Sequence, residues 1–280
     1  MNKSIKRVSF FYRADNPLAG GWEKKIKTWL KKKYPGIRIV KNKPQALIVL
    51  GGDGTILEAA RKYAGVNPVI FGLNLGHVGF LASARKPKKF LSSLDNFLKG
   101  NYWIMNRMMM NASVLRNNKQ IFTTNSLNDV TIQNPLGMVE IEASIEDHPF
   151  QYIHGTGALI STATGSTAYN LSAHGPIVMP DLNCFILTEL LDHNIPTPSL
   201  VIKQDKKISL KIISFRKRGL LSVTNTHKKV DVILAADSEN IFPLEEGDIV
   251  NISRSLRLVK FAEIEKNYFL KSLQEKFAFK

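Results

Sequence analysis

The chain has 280 residues, 44% hydrophobic and 22% charged, the balance of a folded globular protein with room for one large or two ordinary domains. Its formal net charge of +16 suits an anionic partner such as a nucleotide. No apolar run nears the ~20 residues of a membrane span. The single cysteine, Cys184, rules out an intrachain disulfide or a cysteine-built zinc site.

Met1–Phe10 lacks the long apolar core of a secretion signal and reads directly as a strand, so a cytoplasmic location is expected. Ile5–Tyr12 is the first predicted strand. Trp22, Ile26, Trp29 and Leu30 recur at helical spacing, with lysines on the other face, and Pro35-Gly36 ends that helix. Ile37–Val40 is a second strand. Ala46–Leu50 is apolar without a break, as in a parallel strand buried on both faces. Gly51-Gly-Asp-Gly-Thr55 follows it, and Ile56, Ala60 and Tyr63 then suggest a helix. The expected geometry is strand, glycine turn, helix, with Asp53 at the carboxyl end of a strand, where open α/β sheets bind ligands. The lysine of a GxxxxGK[ST] phosphate loop is absent. A carboxylate here repels phosphate unless a metal intervenes or it takes a proton from an attacking hydroxyl. A solvated Asp in a tight turn is the plain alternative.

Val69–Gly72 is a fourth strand, followed by the glycine-rich loop Asn74-Leu-Gly-His-Val-Gly-Phe80 and an amphipathic helix through Phe90, Leu94 and Phe97. Near residue 101 the pattern changes to strict alternation, as in Val139, Ile141, Ala143 and Ile145. Turn signals such as Asn117-Asn118 and Glu246-Gly247-Asp248 separate such segments. The expected organisation is an α/β domain over 1–100, a β-rich domain over 101–262 and a helical tail over 263–280 packing back on the first domain.

The second dense stretch, Gly155–Pro176, runs from the apolar Ala158–Ile160 into hydroxyl side chains at Ser161, Thr162, Thr164, Ser166 and Thr167. Small hydroxyls and exposed backbone N–H groups suit a sugar phosphate, and Tyr169 adds a flat face with a polar tip. A Ser/Thr-rich helix cap is the alternative.

Together these stretches resemble the NAD kinase family over nearly the whole chain. Gly51–Thr55 looks like its first motif, Asn74–Leu81 its second loop, and Asn128-Asp129 its Asn-Glu/Asp pair. Thr164-Gly-Ser-Thr-Ala-Tyr-Asn-Leu-Ser172 is similar to its most specific segment, and Asp237-Ser238 and the tail fit its C-terminal end. The resemblance implies a Rossmann-like N-terminal domain, a β-sandwich-like C-terminal domain and a homodimer or homotetramer. It implies phosphoryl transfer from ATP or polyphosphate to the 2′-hydroxyl of the adenosine ribose of NAD. Mg²⁺ would arrive with ATP rather than in a protein cage, and neither nucleic acid nor membrane is an expected partner. Asp53 would be the general base. Gly52, Gly54 and Phe80 would lie beside the nucleotide, and Asn128 and Asp129 would hold the ribose. Thr164, Thr167, Ala168, Tyr169 and Ser172 would line the adenosine pocket.

Four positions depart from the usual bacterial pattern. His154 and Thr156 stand where an Arg and an Asp are common, Ala163 replaces a Pro, and Glu239 replaces a Gly or Gln. The rival readings are a lipid or sugar kinase sharing the glycine motif, a non-catalytic nicotinamide-nucleotide sensor, and a nucleic-acid binder.

Overall fold

A computed structural model describes residues 4–76, 79–192, 197–219, 221–222 and 229–277. The chain divides into two compact units, residues 1–107 with 257–280, and residues 108–256. The first unit opens with β1 (Arg7–Phe11), α1 (Pro17–Lys33), β2 (Arg38–Ile39), β3 (Ala46–Leu50), α2 (Asp53–Tyr63), β4 (Val69–Leu73) and α3 (Phe90–Leu98). The strands lie side by side in the order β2, β1, β3, β4, all parallel. Every residue of β3 is buried, as its unbroken apolar run requires. Ile26 and Leu30 of α1, and Phe90, Leu94 and Phe97 of α3, share one apolar cluster with Ile48, Leu50 and Phe71 of the sheet.

Helix α1 begins five residues before the periodic run that announces it. Asn16 Oδ1 accepts the Leu18 N–H at 3.1 Å and Pro17 occupies the first turn, a start signal that outweighs the unfavourable Gly20-Gly21 pair. Lys31, Lys32 and Lys33 in its last turn suit the negative end of the helix dipole. β2 is two residues long and exposed, shorter than the Ile37–Val40 alternation suggests, because an edge strand has a single neighbour to pair with.

The second unit is built of strands. They are β5 (Trp103–Arg116), β6 (Lys119–Ser126), β7 (Asp129–Gln133), β8 (Val139–Ile145), β9 (His148–Gly155) and β10 (Gly157–Thr162), then, after the short helix α4 (Tyr169–Ser172), β11 (Cys184–Leu190), β12 (Leu200–Lys203), β13 (Ile208–Phe215), β14 (Leu221–Ser222), β15 (Lys229–Val230), β16 (Val232–Ala236), β17 (Asn240–Leu244) and β18 (Ile249–Glu263). One antiparallel sheet runs β12, β11, β10, β7, β16, β17. In a second layer β13 pairs with β18 on one side and β8 on the other, and β8 with β9. Ile132, Ile160, Phe185 and Leu234 from the first layer share a core with Ile141, Leu210, Ile212 and Val250 from the second. Side-chain alternation sends one face of each strand into that core, which is the physical basis of a sandwich. Asn117 and Asn118 turn between β5 and β6 with φ of 49° and 60°, a left-handed pair that Asn tolerates well.

β5 and β18 each begin in one unit and end in the other. The end of β18 returns to the first unit and pairs in parallel with β4, Lys260 opposite Val69. The last helix, α5 (Tyr268–Phe277), completes that unit. It starts five residues after residue 263, where the helical tail is expected to begin, and residues 278–280 lie outside the described part of the chain.

Candidate functional site

Asp53 is the first residue of α2, directly beyond the buried β3. Its carboxylate accepts two backbone hydrogen bonds from the loop after β4, Phe80 N–H to Oδ2 at 2.7 Å and Leu81 N–H to Oδ1 at 3.2 Å. The approach is close enough to require glycine next door, since a Cβ on Gly79 would lie 2.2 Å from Asp53 Oδ1. Burial pushes the Asp53 carboxyl above the usual carboxylate range, against the two N–H donors and the positive charges of Lys276 and Arg107. A carboxylate so raised is a stronger base than one in water. Gly52 precedes α2 in an extended conformation and Gly54 is exposed beside Asp53. His77 and Val78 of the glycine loop lie outside the described residues.

Helix α5 fastens that loop. Tyr268 Oη donates to Gly79 O at 3.4 Å, and Phe80 packs against Phe269 and Phe277 with ring centres 5.6 and 6.4 Å apart. Lys276 Nζ stands 5.0 Å above the Phe80 ring. Arg85 grips the same helix through Tyr268 O at 3.1 Å, Ser272 Oγ at 2.6 Å and the Glu275 carboxylate. Its guanidinium also covers the Tyr268 ring, 4.3 Å from the centre. Burial pushes the Tyr268 hydroxyl up to about 12. Arg85 shows no pattern in the sequence that marks it, and Tyr268 is marked only by the helical spacing of the tail. Their partnership spans 183 residues and depends on the return of the chain.

In the second unit the hydroxyl-rich stretch wraps the connection between β6 and β7. Thr162 N–H and Oγ1 donate to Asn128 O and Leu127 O at 2.8 and 2.6 Å, and Ser161 Oγ to Asn128 O at 3.2 Å. Gly165 lies so near that a Cβ would come within 2.3 Å of Asn128 O. The structure therefore brings Asn128 against Ser161, Thr162 and Gly165, the start of the hydroxyl-rich stretch, in which Thr164 and Thr167 are also buried. Ser161, Thr162 and Ser166 spend their hydroxyls on protein carbonyls and hold the turn. Tyr169 is exposed, and its hydroxyl accepts from Gln133 Nε2 at 2.6 Å. Ser172 is exposed at the end of α4. No side-chain cap begins α4, but Thr162 Oγ1 accepts the Thr164 and Gly165 N–H groups at 3.1 and 3.3 Å, so part of this stretch does cap its own turn.

Asp129 is 4% exposed, and its carboxyl meets no hydrogen-bond donor among the described residues. Burial, and then the negative charge of Asp237, push it up to about 7. Asp237 itself accepts from Ser126 Oγ, Asn128 N–H and Asp129 N–H through Oδ1, and from Leu127 N–H through Oδ2. The sequence marks Asp237 only through the resemblance of Asp237-Ser238 to the family's C-terminal end, with no sign of its tie to residues 126–129.

His154 and Thr156 lie at the other end of β10 from this cluster, about 17 Å away along the strand at ~3.3 Å per residue. His154 Nδ1 is 3.0 Å from Glu140 Oε1, and its N–H donates to Asp192. Thr156 Oγ1 donates to Leu190 O at 2.9 Å. Glu239 is exposed beyond the turn at Asp237, with its N–H donated to Ala236 O.

Two family models match the chain, "ATP-NAD kinase N-terminal domain" over residues 3–102 and "ATP-NAD kinase C-terminal domain" over residues 127–264. The chain belongs to the NAD kinase family. It is 34% identical to the NAD kinase of Natranaerobius thermophilus over 234 residues, 83% of this chain and 77% of that one. Its fold is similar to that of yeast NADH kinase complexed with NADH, with a TM-score of 0.85 at 18% identity, covering 99% of this chain and 88% of that one. It is also similar to an NAD kinase from Archaeoglobus fulgidus in complex with ATP, with a TM-score of 0.76 at 23% identity over 98% and 100% of the two chains. A Rossmann-like α/β unit and a β-sandwich-like unit are thus the architecture of this family member too. Among the described residues no helix is long and apolar enough to cross a membrane.

Proposed function

We propose that the protein phosphorylates the 2′-hydroxyl of the adenosine ribose of NAD with ATP, giving NADP, and that Asp53 is the general base. Membership of the NAD kinase family supports the reaction. The observation that carries the role of Asp53 is its carboxylate, fixed by Phe80 and Leu81 N–H at the carboxyl end of β3. A ribose hydroxyl is a weak nucleophile at neutral pH. As its oxygen bonds to the γ-phosphorus, its proton passes to Asp53 and the bond from that phosphorus to the β–γ bridging oxygen breaks, releasing ADP. The two N–H donors hold the carboxylate in place, and the burial that raises its proton affinity makes it a competent acceptor.

Asn128 and Asp129 bind the acceptor ribose in this reading. Thr164, Thr167, Ala168, Tyr169 and Ser172 line the adenosine, with Gly52, Gly54, Phe80 and Glu239 at the margins. His154 and Thr156, at the far end of β10, meet the other half of an elongated dinucleotide. Among the described residues no three His, Cys, Asp or Glu side chains group to hold a metal ion. One carboxylate at the glycine turn fits Mg²⁺ that arrives on the nucleotide, since Mg²⁺ commonly keeps waters and uses one or two carboxylates plus substrate phosphates. Bound there, it would screen the donor's negative charge from Asp53. A homo-oligomer in the cytoplasm completes the proposal.

The test is incubation of the purified protein with ATP, Mg²⁺ and NAD, and measurement of NADP with an NADP-specific dehydrogenase. No NADP at micromolar protein would overturn the reading. Diacylglycerol and fructose phosphate as acceptors test the lipid- and sugar-kinase alternatives.

A further inference from the structure

We propose that Asp237 is a positioning residue for substrate binding: its carboxylate shapes the segment Ser126–Asp129 so that Asn128 and Asp129 are presented to the acceptor ribose. The proposal rests on the assignment of those two residues to the ribose made above.

Asp237 and Ser238 form the turn between β16 and β17, with φ of 48° and 58°. Such a turn asks only for residues that tolerate left-handed backbone, and Asn or Gly would serve. The carboxylate is employed elsewhere. Oδ1 lies 2.5 Å from Ser126 Oγ, 2.8 Å from Asn128 N and 3.2 Å from Asp129 N, and Oδ2 lies 3.0 Å from Leu127 N. Three successive backbone N–H groups thus converge on one side chain more than 100 residues away, an anion-holding concavity filled by the protein's own carboxylate. Asp237 N–H donates in return to Asp129 O at 3.0 Å. The hydroxyl proton of Ser126 can serve either Asp237 or Asp129 O, 2.6 Å away, but one at a time.

The carbonyl side of the same segment is held separately. Leu127 O and Asn128 O accept from Ser161 and Thr162. Residues 127–129 lie where β6 has ended and β7 begins, so these contacts take the place of ladder hydrogen bonds. The two adjacent carboxyls divide the work. Asp237 collects the protein's donors, and Asp129 is left without one, available to a ligand hydroxyl. The charge of the first also bears on the second, since Asp237 is one of the two causes that raise Asp129 to about 7.

The experiment compares Asp237→Asn, Asp129→Ala and the wild type in NADP formation from pH 5.5 to 8.5. Asn tolerates the left-handed turn, removes the charge and sets an NH₂ group against an N–H donor. The expected result for Asp237→Asn is a KM for NAD raised about tenfold, with kcat and KM for ATP within threefold of wild type. The pH at which KM for NAD changes should move down, because the negative charge beside Asp129 is gone. Asp129→Ala should raise KM for NAD and abolish that pH step. A wild-type KM and pH step in Asp237→Asn, with KM raised in Asp129→Ala, would overturn the proposal and leave Asp237 a turn residue. A wild-type KM in Asp129→Ala would instead overturn the ribose assignment, and the proposal with it. Should Asp237→Asn fail to fold by circular dichroism, Ser126→Ala takes its place. It removes one donor and leaves the turn intact, so KM for NAD should rise severalfold, and an unchanged KM overturns the proposal.

Discussion

Asp53 and Asp129 are both carboxyls raised by burial, and they respond oppositely to substitution. Asn at position 53 keeps the shape but takes no proton at neutral pH. Asp53→Asn should stay folded and bind NAD with near wild-type Kd by calorimetry, while kcat falls about 10²- to 10⁴-fold. A folded variant with more than about a tenth of wild-type kcat would limit the chemical role of Asp53 to about 1.4 kcal/mol. Asp129 bears instead on stability. Its folded pKa, about 7, lies above the ordinary value of 3.8. Its contribution is therefore fully present below about pH 3.8 and lost as pH rises through about 7, where the buried group must ionise. Asparagine mimics the protonated form and escapes that loss. Asp129→Asn should therefore raise Tm at pH 8.5, with the difference vanishing by pH 4. The gap in pKa sets an upper bound of about 4 kcal/mol at ~1.36 kcal/mol per pH unit. A lower Tm for the variant at pH 8.5 would contradict this.

At the scale of elements, α5 decides whether the loop over Asp53 is held. Arg85→Ala removes hydrogen bonds to Tyr268 O, Ser272 and Glu275 and the cover over the Tyr268 ring. Hydrogen bonds to charged groups are worth about 1.5–3 kcal/mol each, with the exposed Glu275 pair at the low end. Amide hydrogen exchange at Phe80 and Leu81 should speed by more than tenfold in this variant, with exchange in β7 and β10 unchanged. Unaltered exchange at Phe80 would mean that the loop holds itself. Elements with a local cause were legible in the sequence. β3 announces itself by its apolar run, β8 by its alternation, and α2 by the glycines before it. The start of α1 was legible too, but in Asn16-Pro17 rather than in the periodic residues. What the sequence hides are partnerships across distance. Nothing near Arg85 points to residue 268, nothing near Asp237 points to residues 126–129, and hydroxyls that read as ligand-binding, such as Ser161, Thr162 and Ser166, turn inward to hold the turn. The apolar pattern encodes which face is buried, whereas a single hydrogen bond between distant segments leaves no periodic trace.

For the whole molecule, a net charge of +16 spread over many lysines indicates the sign of the partner but not its place. The order of the chain says more. The first unit is discontinuous, begun by residues 1–107 and finished by residues 257–280. A chain ending at residue 263 should keep the antiparallel sheet of the second unit, seen by circular dichroism. Phe80 and Leu81 should exchange their amides freely in it, and NADP formation should fall at least as far as in Arg85→Ala. Full activity in that shortened chain would show that α5 is dispensable. On the ribosome the same arrangement imposes a sequence in time. The glycine turn at Asp53 is among the first parts to be made, yet its support comes from residues 268–277, synthesised more than 200 positions later. A nascent chain can therefore fold its sandwich before the loop at Asp53 has anything to lean on, and a nucleotide that meets it early meets an unfinished enzyme.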